Sequence, residues 1–261
     1  THTRCTVGGM IGNNACGSRA LGYGRTSDNL VDLRALLADG RDVAEVTKQL
    51  GDLVDANLGL IRTEFGRFKR QVSGYSIEHL LPEQGRSLAR FLVGSEGTLA
   101  IVTSATVNLV EEPGAKALVV IGYPDMATAA DAVPLVLEHG PVACEGLDRR
   151  MSDVVAARWP LPELPSGGGW LLVELTGDSA GEAEAKALAL GKVVNAPHRV
   201  VTDATEQAAL WRIREAGAGL AAVSLDKPAH AGWEDAAVPP ERLGYYLRDF
   251  ERLLGDLGLR M

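Results

Sequence analysis

The chain has 261 residues, a formal net charge of −8 and a hydrophobic fraction of 46%. This length suits one large domain or two small ones, and the composition is that of a globular protein with a substantial core. An acidic balance argues against nucleic-acid binding, which usually relies on a basic surface. Neither a signal peptide nor an apolar run of membrane-spanning length is evident, which favours a cytoplasmic protein without a transmembrane segment.

Three cysteines are present, Cys5, Cys16 and Cys144, and no two of them have the CxxC spacing of a redox or zinc motif. An odd and sparse set argues against a disulfide framework, and three thiols at these spacings fit no common zinc site. We therefore predict buried small side chains in a reducing compartment, and no metal site.

The chain opens with a glycine-rich segment that contains Gly8, Gly9, Gly12, Gly17 and Gly22. Because glycine is unfavourable in a helix interior, we predict an ordered segment that is neither a helix nor a flexible linker. A strand is predicted over 31–37, and the dipeptide Asp39-Gly40 that follows predicts a hairpin turn.

Apolar residues recur at helical spacing from Val46 to Ile61, and shorter helical stretches are predicted over 76–81 and 86–92. The next predicted element is a strand over 101–110. Its drier face carries Ile101, Thr103, Ala105, Val107 and Leu109. The sequence Glu-Glu-Pro-Gly that follows predicts a boundary between a domain over 1–112 and another over 113–261.

The second half has the pattern of a small α+β domain. Strands are predicted over 117–122, 143–147, 170–176 and 199–201, and helices over 126–139, 181–190 and 205–216. A Pro/Gly-rich loop is predicted over 160–169. This β-α-β-β-α-β order predicts an antiparallel, ferredoxin-like sheet with its helices on one side.

Residues 8–18 have the composition of a ligand-binding loop. Paired glycines allow close approach of a backbone to a ligand, and the Asn13 and Asn14 side chains offer both donors and acceptors. The glycines do not have G-x-G-x-x-G spacing, and no Gly-Lys-Ser/Thr follows, so neither a Rossmann fingerprint nor a P-loop is present. Taken alone, this segment is equally consistent with a tight glycine loop that binds nothing.

A second glycine segment, Gly94 to Leu99, lies directly before the strand that begins at Ile101. Backbone amides of such a turn can contact a cofactor, and Ile101 or Val102 could lie against a flat ring. Taken alone, the segment favours a plain turn into a core strand.

Together the two segments resemble the FAD-binding domain of the vanillyl-alcohol oxidase/PCMH superfamily, in its D-lactate/glycolate/D-2-hydroxyglutarate dehydrogenase branch. The matching residues are Gly8-Gly9, Asn14, Gly17, Tyr23-Gly24, Val31, Ala38-Asp39-Gly40 and Gly94 to Leu99. The resemblance implies the C-terminal part of a PCMH-type FAD-binding domain, followed by the FAD-linked oxidase C-terminal domain as a substrate cap.

The resemblance implies a bound FAD and hydride transfer from the α-carbon of a small D-2-hydroxy acid to the flavin. The residues that it places along the cofactor are Gly8, Gly9, Gly12, Asn13, Asn14, Gly17, Ser18, Tyr23, Gly24, Gly94, Glu96, Gly97, Thr98, Ile101 and Val102. A flavin-free binding or assembly module that keeps the fold is the alternative, as is an oxidase that uses oxygen directly.

In the cap, Trp211 to Ala216 resembles a Trp-x-x-Arg-Glu segment of the family, and Arg214 takes the position associated with the substrate carboxylate. A guanidinium fork suits a carboxylate in charge and shape, although an ion pair on a helix surface is the commoner fate of an arginine. Farther along, Asp235 and Pro239 match the family, but Trp233 stands where hydroxyglutarate-type members carry a lysine. That departure argues against hydroxyglutarate as substrate, unless Lys227 substitutes.

Some segments of the family pattern are missing from this sequence, and the resemblance to the family is poor over residues 42–57. The pyrophosphate loop would precede Thr1, and the His-x-Gly-Asp-Gly segment with its catalytic base would follow Met261. We therefore expect an internal fragment that is inactive alone, and none of the five histidines is assigned as the base. An iron–sulfur cluster would also lie beyond Met261. The electron acceptor is not predicted; a membrane quinone would imply peripheral attachment at the inner face of the membrane.

Overall fold

The computed structural model describes residues 5–66, 74–223 and 236–259. The chain divides into two compact units, Thr1–Glu111 and Glu112–Met261, and each unit has hydrophobic clusters of its own. The α+β class and the antiparallel sheet predicted from the sequence are confirmed.

The first unit packs short helices against a two-stranded antiparallel sheet. Its core contains Ala35, Val54, Ile61, Phe91 and Leu92, all buried. The elements are α1 (Val7–Gly12), α2 (Ala20–Tyr23), α3 (Thr26–Asn29), β1 (Leu30–Leu36), a 3-10 turn (Val43–Val46), α4 (Thr47–Ala56), α5 (Leu58–Glu64), 3-10 turns at Ile77–Leu80 and Pro82–Gln84, α6 (Leu88–Leu92) and β2 (Ile101–Val107).

The prediction that the glycine segment is not helical was wrong, because Val7–Gly12 forms α1. The Thr6 hydroxyl caps this helix by accepting a hydrogen bond from the Gly9 amide at 3.0 Å. Ile11, 1% exposed, anchors the helix in the core. A cap and one buried side chain therefore offset the low helix propensity of the glycines over less than two turns.

The predicted drier face of β2 was also wrong. Ile101, Val107 and Leu109 are 65%, 39% and 92% exposed, whereas Val102 packs against the core. Arg34 pairs with Ser104 and Ala35 pairs with Val102, so Thr103 is an extra residue on β2. A β-bulge of this kind exchanges the two faces of a strand, which breaks a strict alternation of inward and outward residues.

The predicted turn at Asp39-Gly40 is present, but it does not join two full strands. The Leu37 amide donates to the Arg41 carbonyl at 2.8 Å, and the second arm is reduced to a single bridge between Leu36 and Asp42. The Asp42 carboxylate then caps the 3-10 turn at Val43–Val46, so that the chain leaves the sheet immediately.

The second unit is built on a four-stranded antiparallel sheet with the order β4-β5-β3-β6. This is the strand order of a ferredoxin-like sheet. The elements are β3 (Ala115–Tyr123), α7 (Met126–Asp131), α8 (Val133–Leu137), β4 (Ala143–Asp148), α9 (Arg149–Ala156), β5 (Gly169–Gly177), α10 (Ala180–Val193), β6 (His198–Val201), α11 (Ala204–Val223) and α12 (Pro240–Asp256).

Helices cover both faces of this sheet, so the prediction of helices on one side was wrong. Alternate β3 residues Val119 and Ile121 pack in the cluster that contains Ala187 of α10, whereas Leu118 and Val120 pack in the cluster that contains Leu210 of α11. Strands covered on both faces have continuous apolar runs, as β3 does. The helix α9, which the sequence did not predict, shares the second face with α11.

Candidate functional site

The two glycine segments predicted to bind a cofactor lie side by side in the first unit. The Gly94 amide donates to the Ile11 carbonyl at 2.9 Å, and the Glu96 amide donates to the Gly12 carbonyl at 2.9 Å. Residues more than eighty positions apart are thereby joined backbone to backbone. The end of α1 and the turn before β2 therefore form one continuous surface.

Asn14 fixes the chain where it leaves α1. Its backbone has φ of +49°, a left-handed conformation that asparagine tolerates better than most residues. Its side-chain Oδ1 accepts a hydrogen bond from the Ser27 amide at 3.0 Å. The next carbonyl, that of Ala15, accepts from the Thr26 hydroxyl at 3.0 Å. These contacts tie the segment after α1 to the start of α3.

Gly94 makes the close approach of the two segments possible. Its φ is +82°, which favours glycine, and a Cβ built on it would lie 3.3 Å from the Cβ of Asn14. A side chain at this position would strain the backbone and push against Asn14. The glycine is therefore required by the structure of this surface.

Tyr23-Gly24 ends α2 beside the same region. Gly24 has φ of +78°, and a Cβ there would lie 2.9 Å from the Cβ of Asp28. Asp28 receives hydrogen bonds from the Arg25 guanidinium and the Arg25 backbone amide. Burial raises the pKa of the Asp28 carboxyl, but the bonds from Arg25 outweigh that effect and hold the pKa below its usual range. The carboxylate therefore stays ionised, and it fixes the turn.

Most of the predicted cofactor-binding residues lie at the surface. The exposed ones are Gly8, Gly9, Asn13, Gly17, Glu96, Gly97, Thr98 and Ile101. Gly12, Asn14, Ser18, Tyr23, Gly24 and Gly94 are half-buried. Val102 is also half-buried but packs against core residues, which leaves Ile101 as the better candidate to contact a flat ring.

The packing of the chain does not require glycine at several of these positions. A Cβ built on Gly8, Gly12 or Gly17 would meet no atom within 4 Å, and their φ values are ordinary. Glycine in a helix costs about 1 kcal/mol relative to alanine, a cost that Gly8 and Gly12 incur with no gain in packing. Open space beside an exposed backbone permits the close approach of a flat or phosphorylated ligand, so these glycines leave room for a cofactor such as FAD.

Sequence reasoning missed Tyr75 beside this surface. Its hydroxyl lies 2.9 Å from the hydroxyl of Thr98, which also donates to the Ser95 carbonyl at 2.5 Å. Tyr75 is 45% exposed. An aromatic residue directly after a glycine is only a weak sign of a binding site. The residues around Tyr75 form no motif that would have identified it from the sequence.

In the second unit, Arg214 of α11 pairs with Glu145 of β4. The Arg214 Nε lies 2.8 Å from Glu145 Oε2, and the two side chains are 39% and 19% exposed. The ion pair that the sequence left open as an alternative is thus present. The Arg214 side chain nevertheless remains partly exposed.

The α11 face that carries Arg214 also makes polar contacts with the other three strands. Gln207 Nε2 donates to the carbonyls of Lys116 on β3 and Val201 on β6. Trp211 Nε1 donates to the Glu174 carboxylate on β5 at 3.1 Å. Glu174 is 1% exposed, so this bond satisfies a polar group that is buried inside the unit.

Other titratable groups show ordinary structural roles. Burial raises the pKa of the Cys144 thiol to about 12, and the nearby Glu145 charge adds to the effect, so the thiol stays protonated. Burial also lowers the pKa of His79. His198 lies 3.0 Å from the Ala196 carbonyl through Nδ1. His2, Lys227, His230, Trp233 and Asp235 lie outside the described residues.

Within residues 5–66, 74–223 and 236–259, no three His, Cys, Asp or Glu side chains group in a way that could hold a metal ion. Over the same ranges, we find no helix with the length and apolar character needed to cross a membrane.

Comparisons with known proteins identify the family of the chain. The family model for FAD linked oxidases, C-terminal domain, matches residues 112–261, and that for an FAD binding domain matches residues 1–44. The chain is 30% identical to D-2-hydroxyglutarate dehydrogenase of Pseudomonas putida, over 99% of the chain and 30% of that protein. It is 31% identical to D-lactate dehydrogenase of Archaeoglobus fulgidus, over 98% of the chain and 50% of that protein.

The chain thus spans between 30% and 50% of the length of these relatives. Among solved structures it resembles alkyldihydroxyacetonephosphate synthase with a TM-score of 0.51 at 15% identity, over 93% of this chain and 36% of that one, which shows a shared fold. The C-terminal match alone covers more than half of the chain. The chain therefore belongs to the FAD-linked oxidases, as its two glycine segments predicted.

Proposed function

We propose that the protein carrying this chain is an FAD-dependent oxidoreductase that oxidises a small D-2-hydroxy acid of the D-lactate or glycolate type. The observation that carries the proposal is the joining of the two glycine segments into one exposed surface, with open space beside Gly8, Gly12 and Gly17. Relatives named D-lactate dehydrogenase and D-2-hydroxyglutarate dehydrogenase support the substrate class. Trp233, in place of a lysine, favours a monocarboxylic acid over hydroxyglutarate.

In this proposal, residues 1–112 contribute the C-terminal part of the FAD-binding domain. The exposed backbone of Gly8, Gly9 and Gly12 and the turn at Glu96-Gly97 would contact the cofactor. Bound FAD supplies a two-electron acceptor for the hydride of the substrate. The chain holds the two contact segments in register through the bonds from Gly94 and Glu96, which would lower the entropic cost of binding FAD.

Residues 113–261 would form the substrate cap, with Arg214 as the group that binds the substrate carboxylate. A planar guanidinium can donate two parallel hydrogen bonds to a carboxylate, which fixes both position and orientation. We assign no catalytic base and no iron–sulfur cluster to this chain, and the electron acceptor is left open. A cytoplasmic location is part of the proposal, with peripheral attachment at the membrane if that acceptor is a quinone.

The proposal is tested by steady-state oxidation of hydroxy acids with an artificial dye as electron acceptor. The assay uses the protein as expressed from its gene, with D-lactate, L-lactate, glycolate and D-2-hydroxyglutarate as separate substrates. We expect turnover with D-lactate or glycolate and a strong preference for the D enantiomer of lactate. Absence of dye reduction with every acid, in a protein that contains FAD, would contradict the substrate class.

A substitution of Gly8 by alanine tests whether FAD approaches this backbone. Gly8 is exposed in α1 and a Cβ there meets no protein atom, so alanine should raise the unfolding free energy slightly, by up to about 1 kcal/mol. The added methyl group would hold the cofactor away, and we expect the Kd for FAD to rise roughly tenfold, equivalent to about 1.4 kcal/mol. Fluorescence titration with FAD measures the change.

The matched control is Gly181→Ala. Gly181 also lies in the first turn of a helix, α10, with no atom within 4 Å of a built Cβ. The Gly181→Ala variant should bind FAD with the same affinity as the unsubstituted protein. Equal FAD affinity for the Gly8 variant would place the cofactor elsewhere.

A further inference from the structure

We propose that Glu145 is a positioning residue: it holds Arg214 through Nε, so that the Nη1–Nη2 edge of the guanidinium is presented to the substrate carboxylate. This inference deepens the proposed function and rests on it. It concerns the charge partner of the arginine, which the sequence did not identify because the two residues are 69 positions apart.

The strand β4 aims Glu145 at α11. Ala143 and Leu147, two residues before and after it, pack in the cluster that contains Leu210 and Ile213 of α11. Successive side chains of a strand point to opposite faces, so Glu145 lies on that same face. The strand β4 is at the edge of the sheet, paired on one side with β5. Glu145 therefore meets α11 at the margin of the unit, where a substrate could reach the arginine.

Only one edge of the guanidinium is occupied by Glu145. The bond runs from Nε to Oε2 at 2.8 Å, and among the described residues neither Nη atom of Arg214 donates to another side chain. Arginine has five donors in a rigid plane, so fixing Nε fixes the direction of the other four. The side chain as a whole is 39% exposed, and in this proposal the Nη1–Nη2 edge is the part that meets the substrate carboxylate.

The rest of α11 supports this arrangement. Gln207 and Trp211 fix the helix over β3, β5 and β6 through hydrogen bonds to Lys116, Val201 and Glu174. The backbone of Arg214 is therefore held in place, and Glu145 determines the direction of its long side chain. Without Glu145 the guanidinium would have several rotamers, and binding a carboxylate would cost the entropy of ordering it.

Three substitutions separate orientation from charge. Glu145→Gln keeps the length of the side chain and an oxygen that can accept from Nε, but removes the charge. Glu145→Asp keeps the charge but withdraws the oxygen by one methylene. Glu145→Ala removes both. The measured quantities are kcat and KM for D-lactate in the FAD-containing protein, with thermal unfolding followed for each variant.

We expect Glu145→Ala and Glu145→Asp to raise KM roughly tenfold with kcat changed less than about threefold, and Glu145→Gln to stay within about threefold of the unsubstituted KM. The control is Glu206→Ala. It removes another ion pair of α11, between Glu206 and Arg199 at 2.7 Å, and should leave KM unchanged. The Gln and Asp variants decide the question even if the Ala variant fails to fold.

An unchanged KM in the Asp variant, or an equal rise in the Gln and Asp variants, would overturn the positioning role while leaving the proposed function intact. A failure of the proposed function is seen separately, because the unsubstituted protein would then oxidise no hydroxy acid. That result would also overturn the proposed positioning role of Glu145, because there would be no substrate carboxylate for Arg214 to bind.

Discussion

Replacing Arg214 by alanine is expected to lower kcat/KM for D-lactate by roughly 100-fold, equivalent to about 2.8 kcal/mol. In the proposed role of Arg214, the substitution removes the charge-assisted hydrogen bonds to the substrate carboxylate, each of which contributes about 1.5–3 kcal/mol. It also leaves Glu145, 19% exposed, without its cation, so substrate and enzyme would present two carboxylates to each other. Steady-state kinetics with the FAD-containing protein measures the loss.

Arg214→Lys separates charge from shape. A lysine retains a positive charge but lacks the planar fork, so it cannot donate to Glu145 and to the substrate in the same orientation. We expect it to recover part of the loss, with a kcat/KM between those of the alanine variant and the unsubstituted protein. An alanine variant that oxidises D-lactate at the normal rate would show that Arg214 does not bind the substrate.

Replacing Gly94 by valine is expected to weaken FAD binding by at least about 30-fold. Gly94 has φ of +82°, and a β-branched residue in this conformation costs about 2 kcal/mol or more. The new side chain would also press on Asn14, whose Cβ lies 3.3 Å from the built Cβ. The bonds from the Gly94 and Glu96 amides to α1 would be disturbed, and the two contact segments would separate.

Gly140→Val is the matched control for backbone strain. Gly140 has φ of +63°, and a Cβ there meets no atom within 4 Å. It lies in the second unit, three residues after the end of α8. Its valine variant should lose similar stability but keep its affinity for FAD, measured by fluorescence titration. Equal losses of FAD affinity in the two variants would mean that general destabilisation, and not the joined segments, controls binding.

The sequence predicted the family and the two contact segments, because those depend on short runs of residues such as Gly94 to Leu99. It did not predict that the segments touch. The bonds from Gly94 to Ile11 and from Glu96 to Gly12 join distant parts of the chain, and no local pattern reports them.

Local rules failed where one residue changed the geometry. Glycine density argued against a helix at Val7–Gly12, but the Thr6 cap and the buried Ile11 were enough for a short one. Thr103, as an extra residue in β2, broke the strict alternation from which the faces of that strand were predicted. Both outcomes depend on tertiary contacts that outweigh intrinsic propensity.

The partner of Arg214 could not be identified from the sequence for a similar reason. A Trp-x-x-Arg-Glu resemblance located the arginine, but Glu145 approaches it only because the β4 edge of the sheet lies under α11. The second helical layer was itself missed, since all helices were predicted on one side of the sheet and α9 was not predicted. The sequence context predicted a role for the arginine, whereas its charge partner and orientation required the fold.

The central claim is tested most directly by the visible absorption spectrum of the protein, recorded anaerobically before and after addition of D-lactate. The account predicts an oxidised flavin spectrum that bleaches when the acid is added, because the substrate transfers its electrons to FAD. A protein that purifies without flavin and does not take up added FAD would contradict the account and favour a flavin-free module that retains the fold.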